Sequence, residues 1–370
     1  MKKILLFLIC CSILSCKKEY TVERSFCYWK TTYWNDSIDQ RTADSLGVKH
    51  IYLRLFDVGW NPYAKSAAPM ATLWDFSDDA NQMQVTPCIY ITNDAMQQST
   101  RPQLKKLAED VRQRMNTILQ GTRERTARYT AYKKVSDSVY KGDMDSLERY
   151  ERTMFDNRIK EILIDCDWTQ ASRDNYFYFL SELKKEIPAY KVAATIRLWQ
   201  YRDHEKAGVP PVDNGLLMCY NMESPTDHKN KNSIGSPKIL KQYVNHDDYP
   251  LKLNVALPIF NWSLVFRGGQ FLGILANSNM IDMNGKRFKK IDENRYVFTR
   301  DEVIGETFYR NGDEVRVEKV SDAEMREMIS ILKDHIDLEN SKVTFFSWDE
   351  NFIKDYGIKN ISGYYSLFGS

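Results

Sequence analysis

The chain has 370 residues, 43% of them hydrophobic, enough to bury the core of one large barrel or of two average domains. Its 52 Lys and Arg against 50 Asp and Glu give a formal charge of +2, which argues against a polybasic nucleic-acid binder. The apolar share argues equally against a disordered chain. Aromatics reach 13%, with 22 Tyr and 8 Trp, a content that suits ordinary cores and also clefts that stack flat rings.

The first sixteen residues read MKKILLFLICCSILSC. Lys2 and Lys3 precede an apolar run, residues 4–14, that falls short of the roughly 20 residues a membrane-spanning helix needs. The run ends in Ile13-Leu14-Ser15-Cys16, which resembles the lipobox of bacterial lipoproteins. That resemblance implies cleavage after Ser15, lipid on Cys16, and a protein exported to the cell envelope, tethered to a membrane (the outer membrane is the expectation) and otherwise soluble. Loss of residues 1–15 removes Lys2 and Lys3 and leaves a formally neutral chain, so the lipid rather than charge would hold it. Cys27, Cys88, Cys166 and Cys219 each sit inside an apolar run and suit buried free thiols. No CxxC, HExxH or zinc-type Cys/His spacing occurs, and no cofactor or metal is expected.

Strands are expected at residues 25–33, 50–60, 84–92, 159–168, 191–198, 215–222, 252–264 and 343–348. Helical spacing separates most of them. Residues 37–46 read as a short helix, and Leu104, Leu107, Val111, Met115 and Leu119 recur every three or four positions over 101–120. The charged stretch that follows, to about residue 156, stays helix-compatible, and its alternating signs mark a solvated extension. Residues 174–187, 237–244 and 321–335 read as further helices, the first stopped by Pro188. Residues 267–320 break this rhythm with short alternating runs and two Asn-Gly turns, the pattern of a small β-rich insertion. Eight strands alternating with helices predict a (β/α)8 barrel over residues 25–370, after a leader (1–15) and a tether (16–24). No GxGxxG turn supports an open doubly wound sheet instead.

In such a barrel the working face lies at the C-terminal strand ends. Those ends carry Asp57 and Trp60, then Asp165, Asp167 and Trp168, then Arg197 and Trp199. They continue with Tyr220, Asn221 and Glu223, then Trp262, and finally Trp348, Asp349 and Glu350. Rings beside carboxylates and amides are what a carbohydrate cleft requires. Asp165 and Asp167 are two apart, so both project from one face of their strand while Cys166 points away. Two carboxylates so close would raise one pKa and supply a general acid, unless Arg197 or a Lys neutralises them. Arg54 and Arg197, inside apolar strands, each need a carboxylate partner.

Residues 162–169, ILIDCDWT, resemble the D-x-x-D-x-D-x-E motif of the family 18 glycoside hydrolases, the chitinase-like barrels. Two of three aspartates match, with the Trp often found beside them. Met218-Cys219-Tyr220-Asn221 is similar to the family's M-x-Y-D, and Trp348 stands where the family floors its central sugar subsite. The resemblance spans most of the chain, but each motif is short. It implies a glycan ligand, with Asp167 steadying the developing charge and Asp165 tuning it. The family's catalytic Glu falls on Thr169, which cannot protonate a leaving group; losing general acid catalysis costs ~10²–10⁴-fold in rate. Glu223, Asp349 and Glu350 are the candidates to replace it. The favoured expectation is a lipid-anchored, glycosidase-like barrel that binds a glycan, one containing N-acetylhexosamine included, and hydrolyses it through a relocated acid. The alternatives are a lectin-like lipoprotein without catalysis and a structural or partner-binding one.

Overall fold

The computed structural model describes residues 19–30, 37–72, 83–244, 249–275, 283 and 285–369. The expected leader and Cys16 lie outside the described residues. In chain order the elements begin with β1 (Val22–Tyr28), α1 (Ser37–Leu46), β2 (His50–Asn61), β3 (Ser66–Thr72) and β4 (Gln84–Ile91). Then come α2 (Asn93–Gln98), α3 (Arg101–Ser136), α4 (Met144–Asn157), β5 (Glu161–Asp165), α5 (Arg173–Glu186) and β6 (Lys191–Arg197). These are followed by α6 (Leu198–Arg202), α7 (His204–Ala207), β7 (Asn214–Met218), α8 (Pro237–Val244) and β8 (Leu253–Pro258).

Eight of the strands are parallel and run β1-β2-β4-β5-β6-β7-β8 and on to β16 (Ser341–Phe346), which pairs with β1 and closes a barrel. This is the expected (β/α)8 architecture. β2 overshoots the barrel and folds back antiparallel on β3, a hairpin the sequence reading did not separate.

The expected seventh strand, residues 252–264, is two strands. Its barrel part stops at Pro258, which has no N–H to continue a ladder. After Ile259 and Phe260 the chain re-enters extended structure as β9 (Asn261–Arg267), which belongs to the insertion. There β10 (Gln270–Ile274), β11 (Phe288–Asp292), β12 (Arg295–Phe298) and β15 (Glu314–Lys319) join it in a five-stranded sheet ordered β10-β9-β15-β12-β11. A hairpin of β13 (Glu302–Ile304) and β14 (Thr307–Tyr309) lies beside them. Val265, Phe288, Phe298, Tyr309 and Val315 give the insertion its own small core. The chain returns through α9 (Asp322–His335), opened by a capping box between Ser321 and Glu324, and ends in α10 (Glu350–Tyr356) and α11 (Ile358–Phe368).

α3 is one helix of 36 residues, so the amphipathic stretch runs on into the charged one as far as Ser136; the rest of the charged stretch is a connection and a second helix, α4. Its Leu104, Leu107, Val111, Met115 and Leu119 are buried against the barrel as their spacing predicts. Inside the barrel, the N-terminal end is polar and mutually satisfied. Ser25 Oγ meets His50 Nδ1 at 2.7 Å, and His50 Nε2 meets Thr86 Oγ1 at 2.8 Å. Glu161 accepts from Asn214 at 2.7 Å and pairs with Lys342 at 3.3 Å. Cys27, Cys88, Cys166 and Cys219 are buried free thiols, and burial pushes that of Cys27 up to about 12.

Candidate functional site

A cavity of 180 Å³ opens at the C-terminal end of the barrel. Trp29, Arg54, Tyr90, Asp165, Asp167, Arg197, Met218, Tyr220, Asn221 and Phe346 line it, drawn from seven of the eight strands or the residues just after them. Strand alternation explains the selection. Leu163, Asp165 and Asp167 share one parity, and Asp165 lies in register with Tyr90 on β4. Cys166 has the opposite parity and is buried among the helices. Trp168 follows it there, donating Nε1–H to the Ala207 carbonyl at 3.3 Å and stacking on Tyr176.

The two aspartates live in different surroundings. Asp167 is held by Arg197 in a bidentate fork, Nε to Oδ1 at 2.5 Å and a terminal NH₂ to Oδ2 at 2.6 Å. Asp165 is buried and accepts the Thr195 hydroxyl at 2.7 Å. Burial raises its pKa to about 6, the Thr195 hydrogen bond opposes the rise, and the Asp167 carboxylate adds to it. Burial therefore outweighs the like-charge repulsion expected from the sequence.

Arg54 finds its carboxylate in Asp57, with Nε donating to Oδ1 at 2.8 Å and a second contact to Oδ2. Its guanidinium also faces the Trp29 ring at 5.7 Å. Aromatic walls complete the mouth: Tyr220 stacks on Phe346 with centroids 4.9 Å apart, and Phe260 meets the edge of both. Burial, then the Asp165 and Asp167 charges, push the Tyr90 phenol upward, so it stands as a neutral donor. Asn221 at the rim is exposed with φ of 51°, a left-handed conformation that Asn tolerates.

The structure brings together five of the expected site residues, Asp165, Asp167, Arg197, Tyr220 and Asn221. It places the others off the cavity wall. Asp57 is engaged by Arg54, which does line the cavity. Trp60 lies on the overshooting part of β2, opposite Ala67 of the hairpin. Trp262, on β9, donates Nε1–H to Glu318 at 2.7 Å and so ties the insertion to itself. Trp348 is only 6% exposed, meets Phe26 edge-on at 4.9 Å and donates to Asp39 at 2.8 Å. It is buried beneath the mouth, and Phe346, two residues earlier, supplies the ring at the wall.

The three candidate replacement acids fare alike. Glu223 is half-buried and off the cavity wall, its backbone N–H bonded to the Ser233 carbonyl. Asp349 caps α10 and pairs with Lys30 at 2.8 Å; burial raises its carboxyl pKa, but Lys30 and the two backbone N–H groups hold it below the usual range. Glu350 is exposed in the first turn of α10. Thr169 is exposed in the turn before α5.

Trp29, Tyr90 and Phe346 were missed. Tyr90 was legible, because it continues the parity of Thr86 and Cys88 to the end of its strand. Among the described residues no group of His, Cys, Asp and Glu is gathered as a metal site requires, and no helix is long and apolar enough to cross a membrane.

No described protein family matches this sequence, nor does any curated protein. Among solved structures the chain is similar to the spore cortex-lytic enzyme SleL of Bacillus cereus, at 12% identity and a TM-score of 0.47 over 95% of this chain and 74% of that one. It is similar to chitinase ChiW from Paenibacillus sp., at 11% identity and a TM-score of 0.48 over 93% of this chain and 32% of that one. Concanavalin B is a third, at 12% identity and a TM-score of 0.39 over 93% and 98%. Likeness at this level is one of overall architecture.

Proposed function

We propose that the protein is an envelope barrel, lipid-anchored through Cys16, that holds a sugar ring of a glycan at its mouth without cleaving it. One observation carries this reading. Of the carboxylates on the cavity wall, Asp167 is locked in a guanidinium fork and Asp165 is buried against a hydroxyl, while Glu223, Asp349 and Glu350 lie elsewhere. Rings from Trp29, Tyr90, Tyr220 and Phe346 suit a pyranose face, and the Arg197–Asp167 fork and Asn221 suit its hydroxyls or an acetamido group. At 180 Å³ the cavity is smaller than the ~300–1,000 Å³ of drug-sized sites, so it fits a single residue of a chain.

A glycan panel with N-acetylglucosamine polymers, run on the chain from Lys17 onward, tests it. The expected result is saturable binding with no product release, weakened in Asp167→Asn. One feature favours a second reading, hydrolysis. Asp165, with its pKa raised to about 6, lines the cavity and is the one carboxyl there suited to hold a proton near neutral pH. Product release that disappears in Asp165→Asn would establish hydrolysis and overturn the binder.

A further inference from the structure

The far half of α3 is not needed to cover the barrel. Leu119 of this helix shares a groove with Phe155, Ile159 and Tyr190. Ile159 and Tyr190 lie just before β5 and β6, so this groove marks the N-terminal rim of the barrel. Beyond it α3 runs on to Ser136, about 20 Å at 1.5 Å per residue. α4 returns alongside, tied to it by Arg123–Asp156 at 3.0 Å, Arg152–Glu124 at 2.8 Å and Lys134–Glu151 at 2.6 Å. The pair forms a hairpin projecting from the face opposite the cavity.

The chain's described N-terminus leaves from that same face. Tyr20 precedes β1 by two residues, donates its N–H to the Phe368 carbonyl at 3.0 Å, and bonds through its hydroxyl to the Ile336 carbonyl at 3.1 Å, just past the end of α9.

The outer face of the hairpin has a definite chemistry. Arg125, Arg128, Tyr129 and Tyr132 follow i, i+3, i+4, i+7 spacing and line one side of α3, away from Ala127, Ala131 and Lys134, which face α4. Tyr129 is 45% exposed, Tyr132 65%, and Val139 in the connecting turn 75%. α3 carries ten Lys and Arg against three Asp and Glu. Arg125, Arg128 and Lys133 pair with no carboxylate among the described residues, whereas Asp110 is taken by Lys106 and Glu124 by Arg123 and Arg152. The carboxylates of the tip, Asp137, Asp143 and Asp145, sit in the connection and the first turn of α4.

We infer that the tip of the α3–α4 hairpin rests on an anionic phospholipid leaflet. Unpaired guanidinium groups meet headgroup phosphates, and tyrosine rings with Val139 enter the interface, where amphipathic side chains keep a polar tip in water. Hairpin and N-terminus then face the membrane together, and the cavity faces away from it. The inference does not depend on what the cavity binds.

The test is co-sedimentation of the chain from Glu19 onward with phosphatidylcholine vesicles, with and without phosphatidylglycerol. Each basic side chain near an anionic surface contributes roughly fivefold in partitioning. The expected result is salt-sensitive binding to the phosphatidylglycerol vesicles, lowered by more than about tenfold in Arg125→Glu/Arg128→Glu. Arg125→Lys/Arg128→Lys should retain it, and Tyr132→Ser should lose several-fold. All of these positions are exposed, so helicity should be unchanged. Equal partitioning into neutral vesicles, or binding indifferent to the charge reversal, would overturn the inference. So would self-association abolished by Tyr132→Ser without vesicle binding, which would make a second copy the occupant.

Discussion

The Thr195 hydroxyl donates to Oδ1 of Asp165 at 2.7 Å while accepting the backbone N–H of Cys166 at 3.3 Å. One side chain on β6 thus fixes both the end of β5 and the carboxyl beneath the cavity. A hydrogen bond to the charged form favours that form. In Thr195→Val, a change of nearly equal shape, the Asp165 pKa should climb beyond about 6. The carboxyl left without its partner should cost about 1–3 kcal/mol at pH 7. Carboxyl carbon NMR titration beside chemical denaturation would check both; an unmoved pKa would mean the hydroxyl does not tune this group.

Asp165 also sets a pH dependence. Its pKa is raised from 3.8 to about 6 in the folded chain, so between those values the folded state holds a proton that the unfolded state has lost. Stability from this group is therefore fully present below pH 3.8 and is lost as pH rises through about 6, by ~3 kcal/mol in all. Asp165→Asn, which cannot ionise, should gain on the native chain by that order between pH 4 and pH 7. Urea midpoints of the two proteins at several pH values provide the measurement, and parallel curves would refute the assignment.

Much of this was legible in the sequence because the barrel's signals are local. Short apolar runs separated by helical spacing marked the strands, and the i, i+2 spacing of Asp165 and Asp167 placed both on the cavity wall. The unfavourable burial of Arg197 foretold its carboxylate partner. What escaped depended on where each strand stops. Expected strand eight ran to residue 348, whereas β16 ends at Phe346, so the ring at the wall was assigned two residues too late. Pro258 split strand seven and carried Trp262 into the insertion. The roles of Asp349 and Glu350 turn on the start of α10, a helix not foreseen from spacing.

The two rings near that boundary separate packing from binding. Trp348 is buried against Phe26 with its indole N–H engaged by Asp39, so Trp348→Ala should cost ~3–5 kcal/mol of stability. Phe346 is half-buried on the cavity wall. Phe346→Ala should fold and lose about tenfold in glycan affinity, as a ring anchor does. Thermal melts and a binding isotherm on each variant distinguish them. Affinity lost with Trp348 and kept without Phe346 would restore the family-like floor inferred from sequence.

The insertion is fastened to the barrel's mouth by charges wholly removed from water. Arg316 and Glu318 are both 0% exposed and meet at 2.6 Å. The Arg316 guanidinium donates to the carbonyls of Pro225, Asp227 and Asn230, in the segment after β7, and Glu318 accepts from Ser233 and Trp262. Breaking a buried pair by removing one charge leaves the other uncompensated, at ~3–5 kcal/mol. Arg316→Met should therefore loosen residues 223–233 and the β9–β15 sheet together, seen as faster amide exchange in both segments while β4 and β5 keep their protection. If only the insertion loosened, Arg316 would not be the tie that holds this segment; if the whole barrel melted, the insertion would be part of the barrel's own cooperative unit.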